Sequence, residues 1–437
     1  MSSSSPVPLR IGICGLGTVA QGVLRVLSEN REAIRTRAGR DIEVVRVASR
    51  TPKPGVDLLG AEFSTDLASI AEDDSLDVVI ELIGGETVAL DLVRGQLARG
   101  RAVVTANKAI LATHGDELIE LVRANGGLLL FEAAVAGGIP IIDTLTRSLA
   151  ANQIRWLAGI INGTCNYILT AMTRQGKSFD EALAEAQRLG YAEADPSFDV
   201  EGIDAAHKLT VLAALAFQIG YRFQDVYAEG ISGVTVEDIQ YARELGYRIK
   251  HLGIARMTPR GVQMRVHPAL VPEKELLASV EGVMNAVLVN GNAAGDTLYY
   301  GAGAGALPTA SSVVADVIEI ARGQRPYLPA LVSDNAVRIL PIDEVSSGYY
   351  LKIPSLDKPG VFARVATILS EHDISIEAAI QKEQAVHTET QEAWVPIIIL
   401  TEPVLESVMN EAIARVQELP AVVGQICRIR VELLNDD

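Results

Sequence analysis

The chain has 437 residues, 49% of them hydrophobic and 21% charged, so it holds material for two or three packed domains and lacks the composition of a disordered protein. Its net charge of -17, from 38 basic and 55 acidic residues, repels phosphate backbones and anionic lipids and argues against nucleic-acid and membrane partners. Cys14, Cys165 and Cys427 are too few and too far apart for a disulfide framework or a metal-ligand cluster, no signal segment opens the chain, and no apolar run reaches membrane-spanning length; a cytoplasmic location is expected.

Strands and helices alternate through the first part of the chain. Leu9–Cys14, Ile42–Ala48, Asp77–Ile83, Ala102–Thr105 and Leu128–Glu132 read as strands; Val19–Leu27, Val88–Arg99 and Gly115–Ala124 read as helices, with a polar loop from Glu29 to Asp41. This alternation predicts an α/β, Rossmann-like doubly wound sheet over residues 1–140. The stretch over 141–307 has an α+β pattern and reads as a second domain. It has helices at Ser178–Leu189 and Glu201–Ile219 and strands at Trp156–Ile161, Val262–Val266 and Ala286–Gly291. Pro308 suits the first position of a helix closed by Gly323, which is expected to pack back on the first domain. After a linker over 324–348, the order strand, helix, two strands, helix, strand predicts a ferredoxin-like βαββαβ sandwich over 349–437.

Gly15-Leu16-Gly17-Thr18-Val19-Ala20 stands at the first strand-to-helix junction and has the form G-x-G-x-x-A. Gly15 permits a tight turn, Gly17 lets backbone approach a pyrophosphate, and the helix start offers unpaired N–H groups. The second strand ends without the acid that binds a ribose 2′-hydroxyl; Arg50, with Lys53 nearby, points to a 2′-phosphate and hence to NADP, with NAD as the alternative. Thr105-Ala106-Asn107-Lys108 follows another parallel strand, so Thr105 and Lys108 face the ligand crevice, where Lys108 either binds cofactor or polarises a carbonyl. Asn162-Gly163-Thr164 offers small donors to a substrate. Glu201, Asp204 and Lys208 are spaced to share one helix face amid apolar flanks, either as a reactive cluster or as a surface salt bridge. Gly301-Ala302-Gly303-Ala304-Gly305 either brings backbone, at Gly303, to the cofactor or forms a hinge.

Taken together, Gly15 to Val19, Thr105 to Lys108, Glu132 to Pro140, Ile161 to Tyr167, Gly190 to Pro196 and Asp199 to Leu209 carry a resemblance over nearly the whole chain. The sequence resembles homoserine dehydrogenase in its monofunctional form, which carries a C-terminal ACT domain. The resemblance implies reversible NAD(P)H-dependent reduction of L-aspartate 4-semialdehyde to L-homoserine, in threonine, methionine and isoleucine biosynthesis. It makes Lys208 the general acid and Lys108 its helper at the same carbonyl, with Glu193, Asp199, Asp204, Asn162 and Thr164 holding substrate. It also implies a sodium or potassium ion held by Glu132 and the carbonyls of Val135, Gly137 and Ile139; oxygen ligands suit such a hard ion. Asp357, Gly360 and Val361, before the first helix of the ACT-like unit, would receive L-threonine as a feedback inhibitor, and a homo-oligomer, dimer or tetramer, is expected. Two other readings are weighed. A hydroxy-acid dehydrogenase would use a histidine acid, and His114, His207 and His251 lack such a setting. A catalytically silent sensor would not need Lys108 and Lys208.

Overall fold

The apolar run Leu9–Cys14 becomes a central strand of a parallel sheet in the computed structural model, which describes residues 6–325, 337–382, 386–387 and 393–435. The described residues of 1–163, 204–226 and 283–337 form one compact unit; those of 164–203, 227–282 and 338–437 form a second. The stretch 141–307 is shared between the two units. Its hairpin Tyr247–Thr258/Gly261–Pro272 pairs with the distant strand Cys427–Val431, while its helix Ile203–Phe217 belongs, from Asp204 on, with the first unit.

The sheet of the first unit runs in the order Glu62–Ser64, Ile42–Ala48, Leu9–Cys14, Val78–Glu81, Ala102–Thr105, Leu128–Leu130, all parallel. The strand order reverses between Leu9–Cys14 and Val78–Glu81, the switch point where doubly wound sheets bind ligands. Val78–Glu81 and Ala102–Thr105 are buried at every position, so their sequence is a continuous run and not an alternation. The edge strand Glu62–Ser64, short and partly polar, carries no such signal.

Four helical readings are corrected. The polar segment after Glu29 contains a helix, Arg31–Ala38, which buries Ile34 and Ala38 one turn apart beneath an otherwise charged surface. The helix expected from Gly115 begins at Lys108, because the Asn107 side chain caps it; Gly115 lies inside it, where a Cβ would sit 2.5 Å from the Tyr221 ring. Ala306–Ala321 starts two residues before Pro308, which is tolerated because the first turn's N–H groups have no helical partner. Glu201 is not on the lysine helix: Gly202 takes φ 86° and the helix starts at Ile203.

Helix Thr18–Glu29 packs Ala20, Val23, Leu24 and Leu27 into the same core as Ala310, Val313, Val314 and Val317 of helix Ala306–Ala321. Their backbones come so close that a Cβ on Gly22 would lie 2.4 Å from the Ala306 carbonyl oxygen. Gly22 therefore permits the close return of this distant helix to the parallel sheet.

In the second unit, strands Cys427–Val431, Ser346–Leu356, Ala393–Thr401 and Ile376–Gln381 lie in that order and pair antiparallel. Helices Val361–Glu371 and Glu406–Gln417 bury Val365, Leu369, Met409 and Ala412 against one face with Ile397 and Ile399, giving the expected βαββαβ sandwich. The other face contributes Tyr350, Ile398, Leu400 and Ile429 to a second core, shared with Cys165, Ile168, Met172 and Tyr241. The proposed linker 324–348 is shorter than read, since Ile339 bridges Val262 and the strand starts at Ser346; residues 326–336 of it lie outside the described residues.

Candidate active site

Gly15 turns the chain out of the first strand with φ 98°, and a Cβ there would lie 2.4 Å from the Leu82 carbonyl oxygen. Gly17 has a different task. No atom lies within 4 Å of its Cβ position, and it borders a cleft of about 530 Å³ that Leu16, Ser49, Arg50 and Lys53 also line. Thr18 and Val19 open the helix behind it, and no side chain caps that end, so its first N–H groups remain for an anion. A glycine cradle, an uncapped helix start and two exposed cations at the rim fit a phosphorylated dinucleotide.

The wall opposite is shaped by Glu81, which the sequence reading overlooked. Its fully buried carboxylate accepts the N–H groups of Ile83 and Gly84 at 2.8 and 2.9 Å and the Thr105 hydroxyl at 2.6 Å. Thr105, expected at the cofactor, spends its proton there and accepts the Asn107 N–H at 3.0 Å. The available signal was an acid closing the apolar strand Val78–Glu81, a position that calls for a dedicated set of donors.

Asn107 fixes the start of the next helix: Oδ1 accepts from the N–H groups of Ala109 and Ile110, and Nδ2 donates to the Gly85 carbonyl at 2.7 Å. Lys108, the first helical residue, reaches Asp204 Oδ1 at 3.1 Å. Lys208, one turn beyond Asp204, places Nζ 2.7 Å from Asp204 Oδ2 and donates to the Ile161 carbonyl at 2.8 Å. Asn162 Nδ2 also donates to Asp204 Oδ2, at 2.8 Å. Burial alone would raise the Asp204 pKa; the charges of Lys208 and Lys108 and the hydrogen bonds from Lys208 and Asn162 outweigh it and hold the carboxyl well below its ordinary range. One carboxylate thus gathers two ammonium groups and leaves a net positive charge, which stabilises negative charge growing on a carbonyl oxygen. The side chains of Asp204 and Lys208 are 6% and 12% exposed, while Lys108 at 31% is the more open of the two lysines.

The homoserine dehydrogenase of Pseudomonas aeruginosa is 53% identical to this chain over 438 residues, covering 98% of it and 100% of that protein. The chain belongs to the homoserine dehydrogenase family. Residues 140–318 match the homoserine dehydrogenase family model, 15–132 its NAD-binding domain and 349–421 the ACT domain. The homoserine dehydrogenase of Neisseria gonorrhoeae is 47% identical, covering 98% of this chain and 100% of that one. Among solved structures, a homoserine dehydrogenase from Thiobacillus denitrificans superposes with a TM-score of 0.92 at 50% identity, over 98% of this chain and 99% of that one. A hyperthermophilic archaeal homoserine dehydrogenase, solved with NADPH, gives 0.61 at 26% identity over 72% and 97%. This family member is an oxidoreductase with a dinucleotide-binding sheet, a catalytic region and a C-terminal ACT domain.

The loop read as a cation site is a tight turn in which Ala136 and Gly137 have φ 55° and 50°. Glu132 is buried. Its carboxylate accepts the N–H groups of Ile142 and Asp143 at 2.9 and 2.7 Å, and its own N–H donates to Asp316. Burial pushes the Glu132 carboxyl up to about 7. The Gly137 carbonyl accepts the Ser312 hydroxyl at 2.7 Å, and the Ile139 carbonyl accepts the Ile141 N–H at 2.8 Å. Each carbonyl oxygen has a second lone pair, so Val135, Gly137 and Ile139 retain the donor chemistry of a hard-cation site. Among the described residues no group of three or more His, Cys, Asp and Glu is placed to hold a metal ion. Gly303 does not line the nucleotide cleft; a Cβ on it would strike the buried Asn285 side chain at 2.0 Å.

Glu193, Asp199 and Thr164 belong to the second unit. Glu193 is exposed, the Asp199 carbonyl accepts from the Cys165 thiol, and the Thr164 hydroxyl donates to the Tyr191 carbonyl at 2.6 Å, closing the loop that carries Glu193. In the same unit Asp357 and Gly360 are exposed, and Gly360, with φ 87°, caps the helix that Val361 opens. Among the described residues no helix is long and apolar enough to cross a membrane.

Proposed function

We propose that the chain catalyses the reversible NADP-linked reduction of L-aspartate 4-semialdehyde to L-homoserine. The observation that carries this reading is the convergence of Lys108 and Lys208 on the buried Asp204. When bound, the reduced nicotinamide supplies a hydride to the aldehyde carbon. Lys208 donates a proton to the carbonyl oxygen as the C–H bond forms and is reprotonated from solvent; Lys108 polarises the same oxygen. Asp204, by pairing with both ammonium groups, sets them before the substrate arrives. Asn162 keeps Asp204 in place, and Glu193 and Asp199 are assigned to the substrate's polar groups on family resemblance.

Arg50 at the rim of the cleft supports NADP over NAD, as does the NADPH bound to the archaeal relative. Arg50→Ala should therefore raise KM for NADPH well above any change for NADH; equal changes would remove the argument. The turn at Val135, Gly137 and Ile139 is assigned a sodium or potassium ion. L-Threonine is assigned to the ACT region around Asp357, Gly360 and Val361 as feedback inhibitor of threonine, methionine and isoleucine biosynthesis. The test is to follow NADPH absorbance after adding aspartate semialdehyde to the purified chain. Rapid oxidation that L-threonine slows is expected; bound NADPH without oxidation would refute the substrate.

A further inference from the structure

We propose that Glu81 is a positioning residue for the hydride transfer, whose carboxylate sets both the loop bordering the nucleotide cleft and the helix start that carries Lys108. The inference rests on the dehydrogenase reading above. Glu81 and Thr105 end adjacent parallel strands and stand opposite each other in register, at the carboxyl edge where such sheets meet their ligands. Both are fully buried. Among the described residues no lysine, arginine or histidine lies within salt-bridge distance of Glu81, so donors alone meet its charge. A buried charge is costly unless it is paired or hydrogen-bonded, so every donor here is needed.

The donors close a ring. Glu81 Oε1 accepts the N–H groups of Ile83 and Gly84, and Oε2 accepts the Thr105 hydroxyl. Thr105 Oγ1 accepts the Asn107 N–H, and Asn107 Nδ2 returns to the Gly85 carbonyl. Three successive loop residues are thus tied, and two of them, Ile83 and Gly84, line the nucleotide cleft. Gly84 and Gly85 take φ 77° and 75°, and no atom lies within 4 Å of either Cβ position, so packing on that side does not hold them. Two successive glycines have the most conformational freedom to lose, and the ring is what restrains them. On its other side the ring holds Asn107, whose Oδ1 caps the helix that Lys108 opens, and Lys108 reaches Asp204 Oδ1 at 3.1 Å. A loosened cap frays the first turn and with it the aim of Lys108.

The ring calls for a carboxylate. Both Glu81 oxygens must accept, because the two loop N–H groups donate to one, and the Thr105 hydroxyl, whose oxygen takes the Asn107 N–H, donates to the other. A glutamine has one acceptor oxygen. It turns N–H bonds toward either the loop or the hydroxyl, and the bonds it keeps are no longer charge-assisted. An aspartate keeps the charge and falls one methylene short. Either change therefore loosens two arms at once: the cofactor's, through Ile83 and Gly84, and the proton-donating cluster's, through Thr105, Asn107 and Lys108.

The test uses the full chain and separates the two arms. The Kd for NADPH comes from fluorescence titration without substrate, and kcat from NADPH oxidation by aspartate semialdehyde. Thr105→Val is close in shape, lacks the hydroxyl and cuts the arm to Lys108 alone. It should leave Kd unchanged and lower kcat by about 10–100-fold, the cost of a small misplacement. Thr105→Ser, which keeps the hydroxyl, should recover most of that loss. Glu81→Gln should lower kcat likewise and raise Kd by roughly tenfold, the size of one charge-assisted bond made neutral. Glu81→Asp should share both losses. If the Glu81 variants fail to fold, the Thr105 pair decides alone. A kcat near wild type in Thr105→Val, a loss that Thr105→Ser does not recover, or an unchanged Kd in Glu81→Gln overturns the proposal. So does full recovery in Glu81→Asp, which would make the charge and not its position the cause. A wild-type chain that binds NADPH but leaves aspartate semialdehyde unreduced would refute the dehydrogenase reading instead, and the NADPH titrations would then decide the loop arm by themselves.

Discussion

Lys208 and Asp204 divide the labour of one small cluster. Because Asp204 also holds Lys108 and Asn162, removing Lys208 leaves the carboxylate partnered. Lys208→Ala should therefore fold normally and lose about 10²–10⁴-fold in kcat, the range of a general acid; turnover near wild type would end that assignment. Lys250 shows the opposite case, a charge with no carboxylate within salt-bridge distance among the described residues. It is 5% exposed and donates only to the Val280 carbonyl, at 2.6 Å, and burial pulls its pKa from 10.5 down to about 8. Between those two pH values the unfolded chain keeps a proton that the folded chain has released, so this group's contribution to stability rises with pH across that window and is lowest, and flat, below it. The penalty near pH 7 is about 3 kcal/mol, offset in a Lys250→Met variant by about 1 kcal/mol for the donor lost to Val280. The variant should thus be the more stable protein at pH 7 by about 2 kcal/mol in urea denaturation, with the advantage gone before pH 10.5 and reversed by up to about 1 kcal/mol above it. An advantage independent of pH would contradict the buried-charge account.

Between elements, two glycines on or beside the same helix separate folding from binding. A Cβ on Gly22 meets the Ala306 backbone at 2.4 Å and forces helix Thr18–Glu29 away from helix Ala306–Ala321, whereas a Cβ on Gly17 meets nothing. Gly22→Ala should cost about 1–3 kcal/mol and lower the melting temperature. Gly17→Ala should leave the melting temperature alone and raise KM for NADPH, because its methyl group enters the cleft. The reverse pattern would exchange their roles. Only Gly17 was legible in the sequence, since the fingerprint is a local pattern. Gly22 acquires its task from a helix nearly 300 residues away, and no local signal records such a partner. The same holds at the site. Lys108, Asp204 and Lys208 were legible through motif and helical spacing, yet their junction at one carboxylate required the fold. Glu81 and Asn107, which shape the loop and the cap behind them, went unread because an isolated acid and an isolated asparagine each have many structural uses. The βαββαβ order of the C-terminal region was legible from periodicity alone, since each of its elements is short, amphipathic and bounded by turns. The middle of the chain was not, because its hairpin finds its partner strand more than 150 residues onward.

At the scale of the molecule, the C-terminal strands are not a detachable module. Tyr350, Ile398, Leu400, Ile429 and Val431 share one core with Ile168, Met172, Ile249 and Leu270, all within the second unit. Arg265 and Glu432 pair at 2.9 Å, and Arg430 reaches Glu229 at 2.8 Å, so buried ion pairs also cross from this sheet to the hairpin region. Removing residues 349–437 therefore uncovers apolar surface that was dry and leaves Arg265 and Glu229 without their ion-pair partners. Each large side chain uncovered is worth about 1.5–3 kcal/mol, and an ion pair broken from one side about 3–5 kcal/mol where it is fully buried. Those losses are comparable to the 5–15 kcal/mol that holds an ordinary domain together. The truncated chain should bind a hydrophobic dye, lose its sharp melting transition and collect in the insoluble fraction, so a loss of the proposed threonine sensitivity would not locate an effector site. A point variant that keeps the sheet, such as Asp357→Ala, can locate one. A truncated chain that stayed soluble, melted in one sharp step near the full-length temperature and kept its turnover would show that the second unit's core closes without these strands, and would make the ACT region an appendage whose signal must travel through the ion pairs alone.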